Sequence, residues 1–248
     1  MTFVLEACSC FCYSFDDRGN GYIRSEGAGL IFIKPLAQAE KDGDKIYAVI
    51  RGSAVNQDGA TKGISVPNPL AQQDLLVDAY KDAQLDPHSV QYVEAHGTGT
   101  FVGDPIETNS IGKVIGKDRP DHCFIGSIKS NIGHLEPASG VAGISKLALA
   151  LQHQIIPPNI HFKKGNPNIA FDELKLKVPV DAEKWPAKKS EDAFGGVNSF
   201  GFGWSNVHVV VQGHVQNDSP KKSTDKKGLQ VATLSSRNAD ALKLLTEN

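Results

Sequence analysis

Two histidines stand in short segments rich in glycine and small hydroxyl residues. His96 lies in residues 93–100 (Val-Glu-Ala-His-Gly-Thr-Gly-Thr) and His134 in residues 129–134 (Lys-Ser-Asn-Ile-Gly-His). Glycine turns bring the backbone close to a ligand, and imidazole is the side chain best suited to proton transfer or hydrogen bonding near neutral pH. The pair therefore predicts one part of an active site. Such a pair normally serves a nucleophile, and no convincing nucleophile precedes it.

The four cysteines do not supply an evident second part. Cys8, Cys10 and Cys12 alternate along one short segment and Cys123 stands apart. This spacing is poor geometry for a disulfide framework, and the low count fits a reducing compartment. Because no CxxC or HxxxH spacing follows, we expect no metal site.

Composition excludes several classes of function. The chain has 248 residues, of which 40% are hydrophobic and 22% charged, which suits a soluble protein with a packed core. A net charge of −2 gives no electrostatic reason to expect nucleic acid or an anionic membrane as a partner. No apolar run is long enough to span a bilayer, and residues 1–15 lack a signal-peptide pattern, so we expect a cytoplasmic location.

Strands and helices alternate before His96. The patterns predict strands over residues 29–35, 46–52 and 90–94, and helices over residues 36–41 and 70–84. The last of these strands delivers His96 at its end. This order of elements predicts a layered α/β domain, in which ligand sites lie where strand ends meet helix starts.

The same alternation continues to residue 211. Asp104 is expected to cap a helix, with Pro105 in its first position and Glu107 completing a capping box. A strand over 123–128 delivers Lys129 and His134, and the Gly-, Ala- and Leu-rich residues 138–153 predict a helix buried on most sides. A glycine-phenylalanine loop at 198–203 and a strand at 207–211 close the pattern.

Four regions follow from these patterns. Residues 1–13 are an atypical N-terminal segment, residues 14–212 the main domain, and residues 213–227 a polar, lysine-rich linker. Residues 228–248 resume a strand-turn-helix pattern that stops before it forms a domain, so we expect a truncated end.

The motifs together resemble a known family. Ser14-Phe15-Asp16, the segments 21–27 and 56–59, both histidine segments and residues 198–203 fall in the order found in the β-ketoacyl synthase (ketosynthase) domain of type I polyketide synthases and animal-type fatty acid synthases. The resemblance covers residues 14–212, and residues 228–248 are similar to the start of the ketosynthase–acyltransferase linker. It implies a thiolase-like fold of layered αβαβα halves, usually a homodimer. Here that fold is incomplete, with the end of the first half and most of the second.

The resemblance also implies roles for single residues. His96 and His134 would donate hydrogen bonds to the oxygen of a malonyl thioester, and Lys129 would orient the second histidine. Thr98 and Thr100 would hold the phosphopantetheine arm of an acyl carrier protein, the partner that presents the substrates. No cofactor would be bound directly.

Three further positions complete the implied site, and one residue departs from the family pattern. Phe202 would gate the pocket and supply an oxyanion-hole N–H, with Phe200 packed beside it, while Glu136 and Asp104 would give structural support. Trp204 stands where the family has a glycine, so a positive φ there would carry strain.

The family's nucleophile is a cysteine that lies well upstream of Ser14-Phe15-Asp16. Ala7-Cys8-Ser9 imitates its motif, but the glycine-rich sequence that should follow is missing, so we identify no nucleophile and do not assign Cys8 that role.

Three functions remain open at this point. The first is a ketosynthase, which catalyses the decarboxylative condensation of malonyl-carrier protein with an acyl thioester inside a larger synthase; the chain alone is then expected to be inactive. The second is a non-catalytic ketosynthase remnant, and the third is a module that only decarboxylates. A serine or cysteine hydrolase is disfavoured because no Gly-x-Ser-x-Gly elbow is present.

Overall fold

The computed structural model describes residues 11–61, 63, 66–215, 236 and 238–247. The described strands are, in chain order, β1 Val49–Gln57, β2 Tyr92–Glu94, β3 Cys123–Gly126, β4 Ile155–Ile156, β5 Leu176–Lys177, β6 Glu183–Lys184, β7 Phe194–Phe200 and β8 Ser205–Gln212. The described α-helices are α1 Leu36–Asp42, α2 Pro69–Ala83, α3 Gly103–Ile111, α4 Lys129–Ile132, α5 Ser139–His153 and α6 Ala239–Glu247.

Six strands form one mixed sheet in the order β1-β8-β7-β2-β3-β5. The pairs β1/β8 and β7/β8 are antiparallel, whereas β2 lies parallel to both β7 and β3. The strands β4 and β6 form a separate antiparallel pair. The carboxyl ends of β2, β3 and β7 therefore lie at one edge of the sheet, and this is where the histidine segments begin.

Helices cover both faces of the sheet and bury two apolar clusters. On one face α2 and α3 pack with Leu76, Tyr80 and Ile111 in the core. On the other face α5 packs Leu147 and Leu151 against β2, β7 and β8. Helix, sheet and helix thus form the layered arrangement that the sequence predicts.

Most predicted elements are present, with shifted ends. Helix α2 begins after Asn68, whose side chain accepts the N–H groups of Leu70 and Ala71, and ends at Gln84 in the left-handed region. The strand predicted at 46–52 begins later and continues to Gln57, with an irregularity between Ile50 and Gly52. The segment predicted as a loop at 198–203 is half strand, because β7 extends to Phe200.

Two predictions about the strands and helices are wrong. Residues 29–35 are not a strand: Leu30 is fully exposed and Phe32 is 92% exposed, and the segment pairs with no described strand. Helix α5 is not buried on most sides, since it buries one face, through Ser139, Gly143, Leu147, Ala150 and Leu151, while Leu149 stays exposed. Other apolar residues of α5, among them Ile144 and Leu149, line a cavity together with residues 30–36.

The C-terminal residues form a separate unit. Helix α6 lies in it, and Asn238 accepts the N–H of Ala241 at the start of this helix. The linker prediction for 213–227 and the prediction for 228–248 fall mostly outside the described residues, as does Cys8. Among the described residues, no helix is long and apolar enough to cross a membrane.

Candidate active site

His96 follows the end of β2 and is held by β7. Its Nδ1 accepts the N–H of Phe200 at 3.3 Å, and its ring packs against the Phe200 ring with centroids 5.5 Å apart. The imidazole therefore has its Nδ1 lone pair engaged by the backbone of a neighbouring strand. In the neutral form its proton is on Nε2, the nitrogen on the far side of the ring.

His134 follows α4 and is held in the same way. Its Nδ1 accepts the N–H of Glu136 at 3.0 Å and lies 2.9 Å from the Ser139 hydroxyl. Its backbone is clamped to an upstream segment, because the His134 N–H donates to the Ile23 carbonyl at 2.7 Å and its own carbonyl accepts from Ser25. The neutral ring again carries its proton on Nε2.

The two imidazole rings pack edge to face. Their centroids lie 5.2 Å apart with an interplanar angle of 83°. Burial and the charge of Lys129 lower the pKa of His134 to about 4, and burial, followed by Lys129 and His134, lowers the pKa of His96 well below its usual value. Both rings are therefore neutral near pH 7, and each presents one Nε2–H donor.

Lys129 begins α4 and is almost completely buried, with 3% of its surface exposed. Burial lowers the pKa of its ammonium group, and the carboxylates of Glu94 and Glu107 oppose that shift. Burial first, and the nearby charge of Lys129 second, keep both imidazoles unprotonated.

Glu107 anchors the turn that carries His96. Its carboxylate accepts the N–H of His96 at 2.7 Å, the N–H of Gly97 at 2.8 Å and the side-chain amide of Asn198 at 2.8 Å. The predicted capping box is therefore wrong, because this carboxylate is occupied by a segment that precedes the helix by several residues.

Asp104 is also not a helix cap. Val102 precedes α3 without a side-chain cap, and the Asp104 carboxylate accepts the N–H of Phe15 at 2.7 Å and of Gly99 at 3.1 Å. Burial raises the pKa of Asp104 to about 7. The Asp104 carboxylate thus ties the segment around residue 15 to the turn after His96 and supports that turn.

The two threonines after His96 bond within the turn. Their hydroxyl oxygens lie 3.1 Å apart, and the Thr100 hydroxyl accepts the N–H of Gly103 at 3.1 Å. Thr98 is buried and Thr100 is partly exposed. Their predicted contact with a phosphopantetheine arm stays a prediction.

Phe202 lies at the tip of the β7–β8 hairpin and is 61% exposed. The turn is closed by the Trp204 N–H, which donates to the Gly201 carbonyl at 2.9 Å, and by the Gly201 N–H, which donates to Ser205 at 2.8 Å. Trp204 has a φ of 68°, the region that favours glycine, so the indole stands at a position of backbone strain.

Glu136 is exposed and pairs with the segment opposite. Its Oε1 lies 3.0 Å from Nε of Arg24 and 3.4 Å from the Tyr22 hydroxyl. The Tyr22 ring in turn packs edge-on against His134 at 4.8 Å between centroids. The geometry of Glu136 is that of a support for residues 22–24.

The described cysteines are buried thiols. The Cys12 sulfur accepts the N–H of Ile23 at 3.1 Å, and burial raises its pKa. Burial also raises the pKa of Cys123 to about 12. Neither is a thiolate near neutral pH. The described part of the chain contains no cluster of three or more His, Cys, Asp or Glu side chains that would hold a metal ion.

Comparison with known proteins identifies the family of this chain. Residues 47–163 match the model of the beta-ketoacyl synthase C-terminal domain, and residues 165–248 match that of the ketoacyl-synthetase C-terminal extension. The chain belongs to the β-ketoacyl synthase family. The expected thiolase-like fold and the family resemblance are both confirmed.

Relatives of this ketosynthase are polyketide synthases. The chain is 50% identical over 203 residues to a phenolphthiocerol/phthiocerol polyketide synthase of Mycobacterium tuberculosis, covering 81% of the chain and 11% of that protein. It is 42% identical over 246 residues to polyketide synthase PksL of Bacillus subtilis, covering 94% of the chain and 5% of that protein. The chain thus spans a small part of the curated relatives it matches.

Solved ketosynthases share its fold. The oxazolomycin ketosynthase domain OzmH KS7 from Streptomyces albus superposes with a TM-score of 0.83 at 35% identity, over 98% of this chain and 43% of that one. The ketosynthase from module 6 of the Bacillus subtilis bacillaene synthase gives 0.79 at 40% identity, over 83% and 37%.

Sequence reasoning missed the residues that hold this ketosynthase site together. Glu94 is the clearest case, because its carboxylate accepts the N–H of Ile128, the Tyr92 hydroxyl and the Lys146 ammonium, each at 2.6 Å. It thereby fixes the start of α4 and Lys129. The available signal was a single acidic residue within an apolar strand, since buried charges are almost always paired.

Proposed function

We propose that this ketosynthase chain takes part in the decarboxylative condensation of malonyl-carrier protein with an acyl thioester in polyketide biosynthesis, as part of a larger synthase. The observation that carries the proposal is the pair of facing neutral imidazoles, His96 and His134, with centroids 5.2 Å apart and both Nδ1 atoms engaged. Two fixed N–H donors on adjacent rings suit an oxygen that gains negative charge during a reaction.

The chemistry assigned to the two histidines is stabilisation of an enolate. The bond between the malonyl carboxylate carbon and the α-carbon breaks, carbon dioxide leaves, and the electron pair passes to the thioester oxygen. His96 and His134 donate their Nε2–H groups to that oxygen and lower the barrier. The enolate carbon then attacks an acyl thioester, forms the new C–C bond and releases the thiolate.

The partners follow from this chemistry. Both thioesters are carried on the phosphopantetheine arm of an acyl carrier protein or on an enzyme thiol, so the proposal needs no cofactor bound directly to this chain. We also propose the homodimeric state that is usual for the family and, from composition, a cytoplasmic location.

A second candidate function is decarboxylation without condensation. It is favoured by the described cysteines, since Cys12 and Cys123 are both buried with raised pKa values and neither can take the acyl group as a thiolate. The histidines do not need a nucleophile to stabilise the enolate, which then takes a proton from water and gives an acetyl thioester.

The test is incubation of the purified chain with radiolabelled malonyl-carrier protein and an acyl-carrier donor, following carbon dioxide release and acyl transfer to protein. Release of carbon dioxide without acylation supports the assignment of His96 and His134 and the second candidate for the chain alone. Acylation of Cys8 with a condensation product would identify a complete enzyme and contradict our expectation for the N-terminal segment. If folded protein gives neither, decarboxylation by the chain alone is refuted, and the chain is a non-catalytic remnant or needs the rest of the synthase.

A further inference from the structure

A chain of buried polar side chains leads away from His96, along the face of the sheet that α2 and α3 cover. Glu107 accepts from the His96 backbone and from the amide of Asn198. The Asn198 oxygen lies 2.6 Å from Nδ1 of His208, and Nε2 of His208 lies 3.0 Å from the Tyr80 hydroxyl on α2. We call the four residues Tyr80, His208, Asn198 and Glu107 the buried polar chain.

The hydrogen-bond pattern fixes the protons in this chain. Because the Asn198 amide nitrogen donates to Glu107, its oxygen faces His208 and must accept, so Nδ1 of His208 carries the proton. Nε2 of His208 is then an acceptor, and the Tyr80 hydroxyl donates to it. Burial lowers the pKa of His208 to about 3, so the ring is neutral. Each of these side chains is therefore hydrogen-bonded within the buried polar chain.

Packing leaves this arrangement little freedom. His208 and Tyr80 are at most 1% exposed, and Asn198 and Glu107 are each 3% exposed. A Cβ added at Gly196 would lie 2.5 Å from Cε1 of His208 and 3.0 Å from the Tyr80 oxygen. The absence of a side chain at this position of β7 is what admits the His208 ring.

We propose that the buried polar chain positions His96 and holds it in the tautomer protonated on Nε2. His208 fixes the Asn198 amide, Asn198 fixes Glu107, and Glu107 fixes the backbone of residues 96 and 97. Asn198 also lies two residues before Phe200 on β7, and the Phe200 N–H blocks Nδ1 of His96. His208 and Tyr80 are thus positioning residues that act through others. Their importance for catalysis rests on the proposed function, whereas the tautomer assignments do not.

The test is ¹⁵N-histidine magic-angle-spinning NMR of the 248-residue protein, which reads the tautomer of each ring whatever the particle size. Two variants separate the chemistry from simple disruption. His208→Leu removes the donor to Asn198, whereas His208→Asn places an amide N–H where Nδ1–H was. Trp185→Phe is the matched control, because Trp185 is also a buried aromatic residue and its indole N–H donates to Gln91, outside the buried polar chain.

In the unsubstituted protein we expect His208 protonated on Nδ1 and His96 on Nε2. In His208→Leu, loss of one net hydrogen bond raises the ratio of the minor to the major His96 tautomer by about two- to tenfold. His208→Asn and Trp185→Phe leave that ratio unchanged.

Any of three results would overturn the proposal. They are a His208 ring protonated on Nε2, an unchanged His96 ratio in His208→Leu, and an equal change in Trp185→Phe. If His208→Leu does not fold, a His208 ring protonated on Nε2 in the unsubstituted protein, or a changed His96 ratio in His208→Asn, still overturns the proposal. Expected tautomers in a protein that releases no carbon dioxide would refute decarboxylation by the chain alone and leave the positioning proposal intact.

Discussion

His208 makes the stability of this ketosynthase depend on pH in a way that one substitution removes. The ring is fully buried, and burial lowers its pKa from the usual 6.5 to about 3. In the unfolded chain the same imidazole titrates near its usual value. Between these two values the unfolded state binds a proton that the native state does not bind. The contribution to stability is therefore complete above pH 6.5 and is lost as the pH falls below it.

The size of the effect follows from the two pKa values. Each pH unit below the unfolded value costs about 1.4 kcal/mol for one group that stays neutral in the native state. Going from about pH 7.5 to about pH 5, the free energy of unfolding should fall by about 2 kcal/mol through His208 alone. In His208→Asn this contribution is absent.

Other buried groups titrate in the same pH range, so their contributions to the pH dependence must be subtracted. The pKa of Asp104 is raised to about 7 and that of His134 is lowered to about 4, so each adds its own pH dependence. Both groups are present in the unsubstituted protein and in His208→Asn, and the difference between the two proteins removes them.

The assay is urea unfolding at both pH values, at low protein concentration, followed by tryptophan fluorescence. We expect the unsubstituted protein to lose about 2 kcal/mol more than His208→Asn on acidification. Equal losses in the two proteins would mean that His208 is protonated in the native state, and would refute the reasoning on burial.

Three further predictions concern the anchor, the packing and the exposed surface. Glu107→Gln replaces an acceptor oxygen by a donor and should lower the free energy of unfolding, measured in urea, by about 1–3 kcal/mol. The exposed Glu173→Gln should change that free energy by less than about 0.5 kcal/mol. Equal effects of the two substitutions would contradict the anchoring role of Glu107. Gly116→Ala places a Cβ 1.9 Å from the Leu174 carbonyl oxygen and should lower the melting temperature. Gly203→Ala meets no atom within 4 Å and should leave the melting temperature unchanged. An unchanged melting temperature in Gly116→Ala would refute that contact. The exposed apolar residues in segment 29–35 predict self-association. The double substitution Leu30→Ser with Phe32→Ser should therefore reduce the particle size in light scattering, whereas Leu70→Ser, also at an exposed leucine, should not. Equal particle sizes in the two variants would place the associating surface elsewhere.

Local patterns in the sequence were sufficient for much of the fold. Apolar spacing predicted α2 within one residue of each observed end, and the strand before His96 was placed at β2. His96 follows the end of β2 and the segment with Lys129 and His134 follows the end of β3, at one edge of the sheet, as expected from parallel topology. These features depend on short-range periodicity, which a single sequence displays directly.

The errors arise where distant residues decide the structure. Asp104 and Glu107 have the spacing of a capping box, but their carboxylates bind N–H groups of Phe15, Gly99, His96 and Gly97, and backbone donors of other segments carry no sequence signal. The apolar residues 29–35 have β-type composition, yet a strand needs a partner, and no described strand lies beside them.

The buried polar chain was also beyond reach from sequence. His208 and Tyr80 are 128 residues apart, and only the packing of α2 on β8 brings them together. A histidine in an apolar strand is equally compatible with a satisfied core residue and with a site. Its hydrogen-bond partners, and hence its tautomer, follow only from the folded structure.

The central claim is that His96 and His134 act as neutral hydrogen-bond donors to a developing enolate. Its most direct test is the rate of carbon dioxide release from malonyl-carrier protein by single variants. We predict that His96→Ala and His134→Ala each lower the rate by about 100- to 1,000-fold. Glutamine at either position restores part of the rate because its amide N–H takes the place of Nε2–H, and the exposed His153→Ala has no effect. Rates unchanged by both alanine substitutions, in protein that releases carbon dioxide, would contradict the account.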